Sequence, residues 1–529
     1  MATGLVGRHI ASNSLLSLGV MVTGFAVQVV TAKFFGASPE MDAFLVGFLL
    51  LSFLLTQLQA GGIASTAFIP PFNAAIQEGA REARSFFTTT VVLACLVAAC
   101  LSSACLLLAT EIVHAIGPGL SPEAAALAVK VFRVFSLLFL PLTLAALLSA
   151  SLQAESRFVA SAFAPVAINC CVIVSLVFLA TRAGIMSYVF GLSLGLLVQC
   201  VILLRPLTSW PTIDLSLLTW KNPRLRVLIT TTCVLGLDAA GGLLLLAVER
   251  NMASTLSPGT VSHLNYAKSL YVLPLRLLVS PAQVVLFSLL ARQFAANSFT
   301  ESRRTSAKAI RLMVFLMLPT ALLMMYLSRD IVRLIFERGR FGPHDTEATA
   351  SLLVFYSLSA PIVALWWQLR AISFAFRDVA TPFVAGMVAL VLFYLGNRLL
   401  LGSLGARSLP LNWAAAYLAA SLLLATALAR RHAVPIWTSL GGPLLRLAPA
   451  ALVAFGCLSV MEHLALLPHG PHDAWSMTAL RTGIYGAAAV AAYVAVAWAG
   501  GVEEVKTVST IGRDSLKRLY LPFVSRGKR

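Results

Sequence analysis

The chain reads as a succession of apolar runs of about twenty residues, separated by short polar breaks, from one end of its 529 residues to the other. A run of that length, folded as a helix, crosses roughly 30 Å of hydrocarbon. The runs are continuously apolar, whereas transmembrane strands would alternate apolar and polar positions over about ten residues. The pattern therefore predicts an all-α polytopic membrane protein. About fourteen spanning helices are expected, over 12–35, 43–68, 85–109, 126–152, 160–181, 185–204, 227–248, 262–290, 308–327, 347–374, 382–401, 411–429, 444–465 and 479–499.

The polar breaks repeat. EIVHAI begins at Glu111 and DIVRLI at Asp330, 219 residues later. Ser38-Pro39 and Ser257-Pro258 stand at the same offset, each shortly after a cation, Lys33 and Arg250. Arg84 and Arg303 share that spacing, and the turns SRFVASAF and FRDVATPF come close to it. A shared offset of this kind predicts a six-helix unit occurring twice. Six is even, so the copies have one orientation and are related by a pseudo-twofold along the membrane normal, with substrate between them. The expected organisation is a first lobe over 1–205, a Pro-interrupted cytoplasmic connector over 206–226 and a second lobe over 227–430. Two extra helices follow over 431–500, then a basic tail over 501–529 whose Val505, Val508, Ile511, Leu516 and Leu519 suit a helix lying on the inner leaflet.

Composition agrees: 59% of residues are hydrophobic, 11% are charged and the mean hydropathy is +0.88. Most of the 39 Lys and Arg residues fall in the amino terminus, the even-numbered loops and the tail, which predicts both termini in the cytoplasm. The net charge of +18 then serves contact with anionic lipid headgroups, and no motif points to nucleic acid. One loop resists the rule, since Arg329, Arg333, Arg338 and Arg340 fall on the outer side, partly offset by Asp330 and Glu337. The first twenty residues lack a cleavage site, so the first run is expected to stay. All eight cysteines lie in apolar runs and read as packing side chains. His469, His472 and Asp473 in PHGPHD only superficially resemble a metal cluster, and no metal is expected.

The stretch Val248–Pro274 sets Glu249, Arg250, His263, Asn265 and Lys268 at the junction of two apolar runs. Charge there is costly enough to mark one wall of a substrate cavity. Prolines interrupt several helices, at positions 141, 165, 274, 281, 319, 361 and 449, each removing a backbone hydrogen bond. Pro274 and Pro281 lie beside the polar cluster and are the pair expected to bend, although proline is also simply common in membrane helices. Asp238, inside an apolar run, pairs in prospect with Asn397 as a cation site, or with Lys130 or Arg133 as a salt bridge. No nucleotide-binding loop or catalytic constellation occurs, which predicts a transporter and not an enzyme. The only accessory expected is coupling to a Na+ or H+ gradient or to the membrane potential.

Several strings are more specific: MDAF at 41–44, ASTAFIP at 64–70, SRFVASAFAPVAIN at 156–169, VSHLNYAKSLYVLP at 261–274, RLIFERGRF at 333–341 and FRDVATP at 376–382. Together they resemble the MurJ/MviN family of lipid II flippases, of the multidrug/oligosaccharidyl-lipid/polysaccharide exporter superfamily, over essentially the whole chain. The resemblance implies an inner-membrane transporter of fourteen helices in two lobes. Its inward-open cavity would take the sugar and pyrophosphate of an undecaprenyl-linked precursor, with the lipid tail in a groove beside the last two helices. Membrane lipids and a glycan polymerase are the other implied partners.

The chain departs from the family at Val27 and Gln28, where an Arg-Asp pair is usual, at Thr56 and Gln57, where arginine is usual, and at Lys268 and Ser269, where Asp-Arg is usual. A diphosphate needs charge-assisted hydrogen bonds, and Lys33, Arg250, Lys268 and Arg276 are the candidate replacements. Lys33 and Arg250 are equally compatible with interfacial snorkelling. Gln28 and Gln57 would line the cavity where charges have gone. Asp42 and Ser262 occupy polar positions of the family at the starts of helices 2 and 8, where helix capping competes with a role in gating. The expected substrate is a peptidoglycan precursor or an exopolysaccharide repeat unit. A cation-coupled exporter of small molecules and a non-transporting scaffold are the alternatives.

Overall fold

The computed structural model describes residues 2–58, 62–204, 213–464 and 475–506. Among them the regular structure is helical: α1 (Ala2–Phe35), α2 (Pro39–Leu58), α3 (Ile63–Glu78), α4 (Ala80–Leu107), α5 (Ala109–Ile116), α6 (Pro122–Leu137), α7 (Phe139–Ala154), α8 (Phe158–Ala183) and α9 (Met186–Leu204). After the connector come α10 (Pro223–Ser254), α11 (Thr260–Pro274), α12 (Ser280–Ala295), α13 (Phe299–Tyr326), α14 (Ser328–Phe336), α15 (Pro343–Ala375), α16 (Ala380–Leu404), α17 (Ser408–His432), α18 (Ile436–His463) and α19 (Trp475–Ala499). Local chemistry sets several of these ends. Ser121 and Asn222 cap α6 and α10 by accepting from backbone N–H groups, each with proline at the next position.

Among the described residues ten helical stretches are long and apolar enough to cross a membrane, and α6 with α7, bent by 41°, brings the number to eleven. The expectation of about fourteen departs from this count at identifiable places. Two expected spans form one run, 380–432, in which α16 and α17 are joined by a single turn at Gly405, whose φ is +54. The first is a shorter apolar helix, Gly19–Phe35. The eighth, expected over 262–290, is interrupted by a π-helical turn, Leu275–Val279, directly after Pro274. The fourth was expected over 126–152, with Pro141 in its interior. It breaks at Leu138, where Pro141 has no N–H for the carbonyl one turn back.

The chain forms two compact units, residues 1–266 with 336–345 and residues 267–335 with 346–529. In the first, α8 packs along α9 and α1, α2 along α6, and α3 along α7. Small residues set the α8–α9 approach: a Cβ on Gly191 or Gly195 would meet Ser175 Cβ at 2.7 Å or Ile168 Cα at 2.8 Å. Phe68, Phe72, Phe86 and Phe87 fill the core between α3 and α4. The described part of the connector runs along a hydroxyl row of α4. Ser85 donates to the Leu217 carbonyl at 2.7 Å, while the hydroxyls of Thr88 and Thr89 accept from the amides of Asp214 and Thr219.

In the second unit, α18 and α19 pack on each other and on α13 around Tyr485, Tyr493 and Phe315. The Tyr493 hydroxyl donates to the Phe315 carbonyl at 3.1 Å. Arg481 of α19, 3% exposed, makes a two-pronged pair with Asp330 of α14 at 2.6 and 3.0 Å, and Arg329 pairs with Glu347 at 2.7 Å. The Arg329–Glu347 pair neutralises one charge of the arginine-rich segment that broke the loop-charge rule, while Asp330 of that segment is taken up by Arg481. The tail from 507 onward and the PHGPHD loop lie outside the described residues.

Candidate functional site

The site is built in the first unit, where α2 begins. Ser38 accepts the Met41 amide at 3.3 Å and so serves as the cap of α2. This leaves the Asp42 carboxylate, 4% exposed, for a partner elsewhere. It turns to the start of α11, accepting from the Gly259 amide at 2.6 Å, the Ser262 amide at 2.7 Å and the Ser262 hydroxyl at 2.6 Å. The first N–H groups of a helix have no partner within it and carry the positive end of its dipole, so a carboxylate is their natural complement. The bonds are short, as charge-assisted bonds are. Gly259 has φ +90, and a Cβ there would meet the Ala37 carbonyl oxygen at 2.6 Å, so the approach requires glycine.

Around this latch the backbone is tied down further. The buried Tyr266 hydroxyl donates to the Gly36 carbonyl at 3.0 Å, and its ring lies 5.1 and 5.4 Å from those of Phe336 and Phe341. The Arg340 amide donates to the Lys33 carbonyl at 2.9 Å. Lys33 itself is exposed, its ammonium 5.7 Å from the Phe34 ring centroid. His263, buried beside Ser262, has Nε2 3.8 Å from Asp345 Oδ1. Asp42 and Ser262 are 220 residues apart, close to the offset of the internal repeat.

One turn further into the helices is a second polar cluster. Arg250 donates from Nη1 to the Val261 carbonyl and from Nη2 to Asn265 Oδ1, both at 3.0 Å, and Asn265 Nδ2 faces Gln28 Oε1 at 3.5 Å. Thus Arg250, expected either to bind phosphate or to snorkel, positions an amide. Gln57 is half-buried in the last turn of α2, and Asp238 is half-buried within α10.

The remaining candidates lie in the second unit. The Lys268 ammonium stands 4.0 Å from the Trp413 ring centroid and 5.6 Å from that of Tyr356, a cation–π arrangement. Arg276 is exposed on the π turn. Asn397 is fully buried, donating to the Phe393 carbonyl at 2.8 Å and accepting from Asn412 at 3.1 Å. No group of three or more metal-ligating side chains occurs among the described residues. Trp413, Tyr356, Tyr266 and Asn412 were not legible as site residues, because each meets its partner outside its own helix and no local pattern marks it.

The fold matches that of an inward-facing multidrug resistance MATE family transporter of the MOP superfamily with a TM-score of 0.68 at 12% identity, over 79% of this chain and 98% of the other. It matches the lipid II flippase MurJ in an inward closed conformation with a TM-score of 0.76 at 20% identity, over 92% and 97%. In sequence the chain is 29% identical over 518 residues to the probable lipid II flippase MurJ of Rhizobium meliloti, covering 95% of this chain and 94% of that protein. It is 26% identical over 465 residues to the lipid II flippase MurJ of Burkholderia cenocepacia, covering 85% and 89%. The model of the lipid II flippase MurJ family matches residues 31–473, and the chain belongs to that family.

Proposed function

We propose that the protein is a flippase that carries the saccharide and diphosphate headgroup of an undecaprenyl-linked peptidoglycan precursor across the bacterial inner membrane by alternating access. The observation that carries this reading is the match over 95% of the chain to the Rhizobium meliloti relative, which runs through both copies of the repeat and into the last helices. The names of the relatives favour a peptidoglycan precursor over an exopolysaccharide unit. The basic candidate residues favour an anionic headgroup over a small cationic drug.

In this reading the two lobes are residues 1–205 and 227–430, and both termini are cytoplasmic. The latch of Asp42 on α11 then lies at the periplasmic face and acts as the outer gate. It is a gate of a suitable kind, since three hydrogen bonds to one carboxylate are lost together when α11 moves a short way from α2. Arg276 is the residue we assign to the diphosphate. It is an exposed cation in a membrane helix, and it sits on a π turn, a feature frequent at functional sites. Lys268, held against aromatic faces, positions α11 instead. The engagement of Asn397 by Phe393 and Asn412 favours packing over a cation site.

The test is complementation of a strain depleted of its own lipid II flippase. Growth is expected with the wild-type chain, to be lost with Arg276→Ala and to be partly kept with Arg276→Lys. Failure of the wild type to restore growth at normal membrane abundance overturns the proposal.

A further inference from the structure

The cluster one turn beneath the latch has a fixed polarity. Because both Arg250 contacts are donations, Asn265 must present its oxygen to Arg250 and its NH2 group to Gln28. Gln28 therefore receives that bond on its oxygen, at 3.5 Å, a distance at the edge of hydrogen bonding. Its own two N–H donors meet no partner among the described residues. Gln28 lies in α1 about two turns before Phe35, half-buried, next to Val27, which is 3% exposed. A polar side chain within a membrane helix that lacks an internal partner turns toward a water-filled cavity, since hydrocarbon offers its donors nothing.

The chemistry of this cluster is selective. A carboxamide carries donor and acceptor in one plane and no net charge, so it can donate to and accept from a hydroxyl or an amide at once, whereas toward an ionised phosphate it can only donate and brings no charge. Arg250 directs its guanidinium to a backbone carbonyl and to Asn265. We propose that Gln28 and Asn265, oriented by Arg250, form a subsite for the neutral saccharide portion of the transported headgroup. The proposal rests on the lipid-linked glycan reading given above. Arg250 is a positioning residue in it.

The experiment compares two probes on the purified full chain in nanodiscs: undecaprenyl diphosphate, which has no sugar, and lipid II. Wild type is expected to bind lipid II at least about tenfold more tightly, the scale of one or two net hydrogen bonds. Gln28→Leu is expected to remove most of that preference while its affinity for undecaprenyl diphosphate stays within about twofold. Gln28→Met, close in shape, provides a second variant where Gln28→Leu folds poorly, and Gln28→Asn is expected to restore part of the preference. Equal weakening toward both lipids, or an unchanged preference accompanied by a lower Tm, makes the cluster a staple between α1 and α11 and overturns the subsite. Equal wild-type affinity for the two lipids overturns the subsite alone. Binding of neither lipid overturns the flippase reading with it.

Discussion

Asp42 shows how one side chain with two locally reasonable roles is assigned by a distant partner. At the fourth position of α2 it is near enough to the helix start to serve as a cap, but Ser38 takes that work. Three donors at the start of α11, one from Gly259 just before it and two from Ser262, then converge on the carboxylate. Hydrogen bonds to a charged group are worth about 1.5–3 kcal/mol each, so their loss should be readable locally. Asp42→Ala is expected to speed hydrogen exchange at the amides of Gly259 and Ser262 by about tenfold or more. Unchanged exchange would mean that the carboxylate does not hold α11. Lys268 and Arg250 make the complementary point: the sequence marked them as unusual charges, and the fold gives each a partner within the protein, an indole face and an asparagine oxygen.

At the scale of elements, the repeat explains both likeness and divergence. EIVHAI and DIVRLI become the short helices α5 and α14. Their first acids have different fates: Glu111 is exposed, while Asp330 is bound in two prongs by Arg481 of α19. The helix that follows the repeat thus recruits a residue that the first copy leaves at the surface. Removing one partner of a buried ion pair strands the other charge, at a cost of about 3–5 kcal/mol. Arg481→Met is expected to lower the Tm in detergent markedly, and Arg481→Met with Asp330→Leu to recover most of the loss. A double variant as unstable as the single one would show that the pair does not act as a pair. The π turn at 275–279 also belongs to this scale, because its extra residue exposes Arg276 immediately after Pro274, the proline singled out as a bend.

For the whole molecule, the proposed orientation, with both termini cytoplasmic, rests on the charge distribution. With the native cysteines replaced by alanine, His114→Cys is expected to react with an impermeant thiol reagent in spheroplasts, and Thr219→Cys only after permeabilisation. The reverse pattern would invert the assigned topology. The helical class and most of the spans were legible without coordinates, because hydropathy and helical period act over neighbouring residues and leave their pattern in the order of the chain. The breaks were less so. Proline told where a helix was weakened, at 141 and 274, but whether it would kink or form a π turn depended on what packed around it. The site was only half visible: Asp42, Ser262 and Gln28 stood out through the family resemblance, while the pairing of Asp42 with a helix start 220 residues away and the fixed direction of the Asn265 amide came from the fold. Hydrogen bonds have direction and a reach of about 3 Å, so which of several capable groups meet is decided only when the backbone brings them together.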